Sequence, residues 1–184
     1  NEIKLSKLDL YLPLRSFFIS DFLLKRAEVS FFKNNINDLA KFTNIFLPKI
    51  INQQVNKIFS SGILEGEFVI PFKSDGSIGD NYGFTGKVLK ASINITKEFT
   101  INNLSMDIQH AKKDESDVFK IKIQEGFIYN IDLAESSFDL IRNKKITKVR
   151  SEIRSNGKLN NSEIQKIFSL FNIKTPEIKK INGS

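Results

Sequence analysis

The sequence predicts a mainly β protein with some helix: a curved antiparallel β-sheet meander, shaped as a groove or half-barrel, with a helical insertion near 35–61 and a short C-terminal helix. Apolar residues alternate with polar ones at a period of two along most of the chain, the pattern of half-buried strands. The alternating runs are separated by only a few residues rich in Gly, Asn, Asp, Lys or Ser, too few for the crossovers that parallel strands need. One long stretch, Asn34 to Ser61, switches to three- and four-residue spacing.

From the start of the chain, Ile3 and Leu5 are followed by Leu8, Leu10, Leu12 and Leu14, so the period of two slips once at Ser6–Lys7 and predicts a β-bulge there. After a short connection through Phe17 and Phe18, Ala27, Val29 and Phe31 share one face against Arg26, Glu28 and Ser30, and the two strands should pair as neighbours. In the helical stretch, Leu39, Phe42, Phe46, Ile50, Ile51, Val55, Ile58 and Phe59 carry the spacing. Asn35 or Asn37 can cap its start, Gly62 can end it, and Pro48 should break or bend it, giving two helices or one bent one.

Alternation resumes with Leu64, Gly66, Phe68, Ile70 and Phe72, opposite Glu65, Glu67 and Lys73, and Ser74-Asp75-Gly76-Ser77 reads as a reversal. Further strands are expected at Phe84–Ile95 (Leu89, Ala91, Ile93 and Ile95 in phase), Thr100–His110 (Leu104, Met106, Ile108) and Val118–Gln124 (Phe119, Ile121, Ile123). Others are expected through Phe127, Tyr129, Ile131 and Leu133, over Phe138–Ile141 and over Ile146–Ile153. Asn161–Phe171 is an amphipathic helix with Ile164, Ile167, Phe168 and Phe171, and the tail from Asn172 is expected to be extended. No boundary divides residues 1–184, which read as a single domain or as a segment of a longer chain. The first twenty residues carry Glu2, Lys4, Lys7, Asp9 and Arg15 and so form neither a signal peptide nor a membrane span; any anchor is expected in sequence beyond this segment.

Composition narrows the chemistry. Seventeen phenylalanines against three tyrosines, with heavy use of Asn, Ile, Lys and Ser, are the skew expected of an AT-rich coding sequence, so a single Asn or Lys carries little functional weight. The net charge of +7 permits attraction to anionic lipid or nucleic acid, but the basic residues are spread over many polar faces rather than gathered in one arm. The phenylalanines share faces with Ile and Leu instead of standing beside basic residues as stacking platforms, so no nucleic-acid partner is expected. The absence of cysteine removes disulfides, zinc-thiolate sites and thiol nucleophiles together.

No catalytic set, cofactor or metal site is predicted. The lone histidine, His110, lies before the charged run Ala111-Lys112-Lys113-Asp114-Glu115 and is expected to face solvent. No serine occupies a Gly-x-Ser-x-Gly elbow. Gly83-Phe84-Thr85-Gly86-Lys87-Val88 fails as a phosphate loop because Val88 stands where a magnesium-binding Ser or Thr is needed, and Asp75-Gly76-Ser77-Ile78-Gly79-Asp80 lacks the spacing of a calcium loop. Strands this apolar on one face need a cover, either a closed core in an ordinary sandwich or curled sheet, or a ligand laid along an open groove. Periodicity is compatible with both.

The segment Ile63-Leu64-Glu65-Gly66-Glu67-Phe68-Val69-Ile70-Pro71-Phe72, with Asp75-Gly76-Ser77-Ile78 and Asp80-Asn81-Tyr82-Gly83-Phe84-Thr85-Gly86-Lys87-Val88 after it, resembles the AsmA-like domain of bacterial YhdP-type envelope proteins, a superfamily that includes TamB. The shared pattern is a strand entered by Gly, an Asp-Gly hairpin, Asp-Asn-Tyr and a second strand, preceded by a strand pair with the connection Arg15-Ser16-Phe17-Phe18 and a helical insertion. The resemblance implies a non-catalytic, periplasmic segment of an inner-membrane-anchored protein, whose hydrophobic β-groove binds or conducts phospholipid between inner and outer membranes. Its partners would be phospholipid acyl chains, the membrane through an anchor outside this segment, and other envelope proteins. The residues expected to line the groove are Phe68, Ile70, Phe72, Leu89, Ile93, Met106, Ile108, Ile121, Ile123, Phe127 and Ile131. The alternative is a β-rich scaffold or protein-interaction segment with a closed core and no ligand.

Overall fold

In the computed structural model, residues 2–18, 23–43, 57–96, 99–113, 115–143 and 146–170 are described. They build an antiparallel ten-stranded sheet, a 3₁₀ turn at Leu14–Phe17, two α-helices and a helical end at Lys57–Ile58. The strands are β1 (Leu5–Tyr11), β2 (Arg26–Asn35), β3 (Phe59–Pro71), β4 (Gly83–Asn94), β5 (Thr100–Lys113), β6 (Ser116–Ile128), β7 (Ile131–Asp132), β8 (Ser137–Arg142), β9 (Thr147–Glu152) and β10 (Asn156–Gly157). Helix α1 (Ile36–Thr43) follows β2 directly, and α2 (Asn161–Leu170) follows the sheet. Strands β1 to β6 pair in chain order as a meander. Beyond β6 the sheet divides: β8 pairs with the first half of β6 and then with β9, while β7 pairs with the end of β6 and then with β10. Among the described residues no pairing joins β1 to the far edges, so the sheet is open.

The antiparallel meander, the bulge in β1 and the C-terminal helix agree with the sequence reading, and three details do not. The helical insertion does not run to 61, because Phe59–Ser61 belong to β3 and Phe59 lies opposite Ile93. Lys57 and Ile58 are still helical and Val55 lies outside the described residues, so the departure from the expected helix begins at Phe59. Gly62 therefore ends no helix: it sits within β3 at φ +146°, pressed on Ala91, whose Cβ would lie 2.7 Å from a Cβ added at the glycine. The strand expected through Phe127 and Leu133 is instead the end of β6, a turn at Tyr129–Asn130 and the two-residue β7. Pro48, Phe171 and the tail from Asn172 lie outside the described residues.

Capping follows the sequence. The Asn35 Oδ1 accepts the Asn37 N–H at 2.9 Å and starts α1. At α2, the Glu163 N–H donates to Asn160 Oδ1 and the Asn160 N–H to Glu163 Oε2, at 2.9 and 2.8 Å, a reciprocal capping box. The hairpin tip is closed by Asp75, whose Oδ1 accepts the Ser77 N–H at 2.9 Å, with Gly76 at φ +80°.

Register shifts fall side by side on neighbouring strands: between Phe31 and Asn34 in β2, Ser61 and Ile63 in β3, Val88 and Ala91 in β4, and Asn102 and Ser105 in β5. Lys90 and Asn103 take φ of 49° and 50° to make them. Each extra residue bends its strand and increases its twist. The buried core lies at this bend, where Val88, Ala91, Leu104, Met106 and Ile123 pack with Ile36 of α1. The β2 bulge is held by buried Asn34, whose amide donates to the carbonyls of Lys4 (3.0 Å) and Phe32 (2.7 Å) while its oxygen accepts the Lys4 N–H at 2.7 Å. One side chain thereby satisfies backbone groups that the interrupted ladder leaves open.

Candidate functional site

The pairing register sorts side chains into two faces. One cross-strand row runs Leu8, Val29, Phe68, Phe84, His110, Phe119, Leu140 and Val149, and the next runs Leu5, Phe31, Gly66, Gly86, Ile108, Ile121, Phe138 and Ser151. A third row, Leu64, Val88, Met106 and Ile123, reaches the core. The opposite face carries Ser30, Glu67, Thr85, Gln109, Lys120, Asp139 and Arg150 in one row and Glu65, Lys87, Asp107, Lys122, Ser137 and Glu152 in another. Alternation in the sequence thus becomes one apolar and one charged face across the sheet.

Of the residues expected to line a groove, Phe68, Ile70, Met106, Ile108, Ile121 and Ile123 share the apolar face. Phe72, bridged to Ile78, extends it beyond the end of β3. Ile93 and Ile131 lie in one more row of that face, through Ile101 and Ile128. Leu89 does not: it lies opposite Ile63 on the charged side, because the bulge at Leu89–Lys90 puts Val88 and Ala91 inward instead. Phe127 also points away from the core, since Gly126 is the residue that faces Leu104. Met106 and Ile123 are 6% and 5% exposed in the packed core with Ile36, so the face is closed at that end.

The other end is aromatic, with Ala27 and Phe31 buried at 5% exposure and Phe68 and Phe84 half-buried. Phe31, Phe68 and Phe84 form a cluster with ring centroids 4.7 to 6.2 Å apart, Phe31 and Phe84 being near-parallel at 3°. The Phe84 ring lies flat over Gly66 and Gly86, which face each other across β3 and β4 with no side chain to lift it. Alternation alone did not place Phe31, Phe84, Phe138 and Leu140 among the candidates, although Phe84 and Phe138 lie directly across from the chosen Phe68 and Ile121.

His110 is not solvent-facing. Its side chain is 10% exposed, stacked on Phe119 at 4.4 Å with Tyr82 at 5.5 Å, and its Nε2 is 3.1 Å from Asp117 Oδ1. Asp117 lies between Lys112 and Arg142 in a charged row immediately beyond the aromatic one, so the apolar face ends at a polar rim on the hairpin side. The signal in the sequence was Asp117, seven residues after His110 and brought back by the tight β5–β6 hairpin. On the charged face, a shallow concavity of about 820 Å³ runs across β2 to β5, where Phe32 stands beside Glu65, Glu67, Lys87 and Asp107, so its lining mixes apolar and charged groups. Among the described residues no three His, Asp or Glu side chains converge as metal ligands, and no helix is long and apolar enough to cross a membrane.

The fold and this face define an open antiparallel sheet with an apolar surface that is sealed at one end and half-covered at the other. Comparison with family models, with curated proteins and with solved structures finds no match to this chain.

Proposed function

We propose that this chain is a non-catalytic segment that holds phospholipid acyl chains along the apolar face of its open sheet, as a periplasmic part of an AsmA-like, inner-membrane-anchored protein serving lipid transport and envelope maintenance. The observation that carries the reading is the half-buried row Val29, Phe68, Phe84, His110, Phe119 and Leu140, apolar but for the imidazole stacked on Phe119, over strands that no described strand closes into a barrel. Hydrocarbon laid there would remove apolar side chains from water without a specific bond, while Lys112 and Arg142 at the rim stand where a phosphate would meet solvent. The second reading, a scaffold or protein-interaction segment with no ligand, is favoured by the sealed end, where Val88 and Ala91 are wholly excluded from solvent.

Native mass spectrometry of the chain purified from a bacterial periplasm separates the two. Co-purifying phospholipid is expected, lost in Ile70→Asp and Leu140→Asp, which alter the apolar face. It should persist in Ile63→Asp and Ile141→Asp, whose side chains are 39% and 43% exposed on the opposite face. Folded protein free of lipid, or equal loss from both faces, leaves the scaffold reading.

A further inference from the structure

The edge strand β1 presents Leu5, Leu8 and Leu10 at 49%, 54% and 50% exposure, all toward the apolar face, and among the described residues it pairs only with β2. A row of exposed leucines beside unpaired backbone groups is an unusual edge, since strands that stay single are normally blunted by charge or covered. The charges on β1 are arranged differently. On the polar face Lys7 and Asp9 flank Leu8 and form an ion pair of 2.6 Å, while Tyr11 is held by Arg26 over its ring at 4.2 Å and by a hydrogen bond to Glu28 at 2.8 Å.

We infer that β1 pairs with β1 of a second copy of this chain, antiparallel, about a two-fold axis perpendicular to the sheet and passing between the two Leu8 residues. The sequence Lys7-Leu8-Asp9 is self-complementary in that register. Leu8 meets its own equivalent, Lys7 of each copy lies opposite Asp9 of the other, and the bulge between Leu5 and Lys7 brings each Leu5 toward the other copy's Leu10. Shifting the axis by one residue either way sets Lys7 against Lys7 or Asp9 against Asp9, and a half-step turns the leucines against polar side chains, so charge and face together select one register. An interface of this kind is isologous and closes as a dimer rather than growing into a fibre. One short strand per copy buries less than a standard interface, so the dimer is expected to be weak. The two apolar faces would lie on the same side of one continuous sheet, and the pairing is independent of whether that face holds a ligand.

Sedimentation velocity on the whole chain between about 10 and about 500 μM at low ionic strength should show a monomer–dimer equilibrium. Leu8→Lys, which places two cations on the axis, and Asp9→Lys, which opposes like charges, should each raise the dissociation constant ~tenfold or more with far-UV circular dichroism unchanged. Adding Lys7→Asp to Asp9→Lys exchanges the charges and should restore the dimer. A monomer throughout the range, association indifferent to Leu8→Lys, growth beyond the dimer, or failure of the exchanged pair to recover overturns the inference.

Discussion

Two glycine-to-alanine changes on one hairpin should have opposite signs. A Cβ on Gly66 would lie 2.5 Å from the Thr85 carbonyl oxygen, 2.7 Å from Gly86 Cα and 2.9 Å from the Phe84 ring, so relief requires the backbone of β4 to move, not a flexible side chain. Moving it by more than half an ångström lengthens the adjoining ladder bonds past useful geometry, losing about 1 kcal/mol for each bond weakened. Overpacking adds about 1–3 kcal/mol, and removal of glycine's backbone entropy returns about 0.5–1 kcal/mol. The net expected for Gly66→Ala is a loss of about 2–3 kcal/mol. At Gly83 the nearest atom to an added Cβ is the His110 carbonyl oxygen at 3.4 Å, ordinary contact, so Gly83→Ala should leave stability unchanged or raise it by about 0.4–1 kcal/mol. Urea unfolding followed by far-UV circular dichroism reads both, with the slope against denaturant held as the check that the unfolded states match. Equal stabilities for the two variants would refute the close approach of β3 and β4, and with it the flat seat of the Phe84 ring on the apolar face.

The remaining predictions concern packing, a buried clamp and a surface turn. Leu104→Ala, at a residue 1% exposed in the bend, should cost about 2–5 kcal/mol in the same unfolding assay, because the cavity is walled by three strands. Asn34→Asp should be worse than Asn34→Ala, since the amide that donates to two carbonyls becomes an acceptor facing them; a loss of about 1–3 kcal/mol for the alanine and faster hydrogen exchange at the Lys4 amide are expected. The Ser77 hydroxyl and backbone N–H hold the Asp75 carboxyl below the usual carboxylate range, so Ser77→Ala should move it upward in an NMR titration. With the folded value depressed, this turn contributes stability above the unfolded pKa and loses it as pH falls through the folded one.

The strands were legible because alternation is a local property, and the bulge at Ser6–Lys7 was legible because four leucines keep phase on its far side. The bulge in β4 left no such mark. Lys90 adopts φ 49° although lysine has no preference for it, and Val88, Leu89, Ala91 and Ile93 supply apolar residues in both phases, so the sequence admits Leu89 inward as readily as Val88. Cross-strand register decides it, because Val88 lies opposite Met106 and Leu64 while Leu89 lies opposite Ile63. Asn103 was a fairer signal, since asparagine visits positive φ more often than most residues, yet in a chain so rich in asparagine that preference identifies no position. The burial of His110 depended on Asp117 and Phe119 arriving from the next strand, which no single-strand pattern contains.

The row of bulges has a consequence for the candidate site. Where it interrupts the ladder, Val88, Ala91, Leu104 and Ile123 gather into a sealed core with Ile36 of α1, and the Phe68–Phe84–Phe119 row is left on the other half of the same face. Residues that sequence pattern treats as equivalent therefore divide by position. Ile123→Asp places a charge among residues 0–6% exposed and should unfold the chain before any ligand question arises, because an unpaired buried carboxylate costs far more than a marginal domain can absorb. Leu140→Asp lies in the half-buried region between Phe119 and the exposed Val149 and should leave the unfolding transition in place while it removes hydrocarbon contact. If both variants unfold alike, the face is one closed core from end to end and holds no acyl chain; if they part, the bend marks where structural packing stops and ligand contact begins.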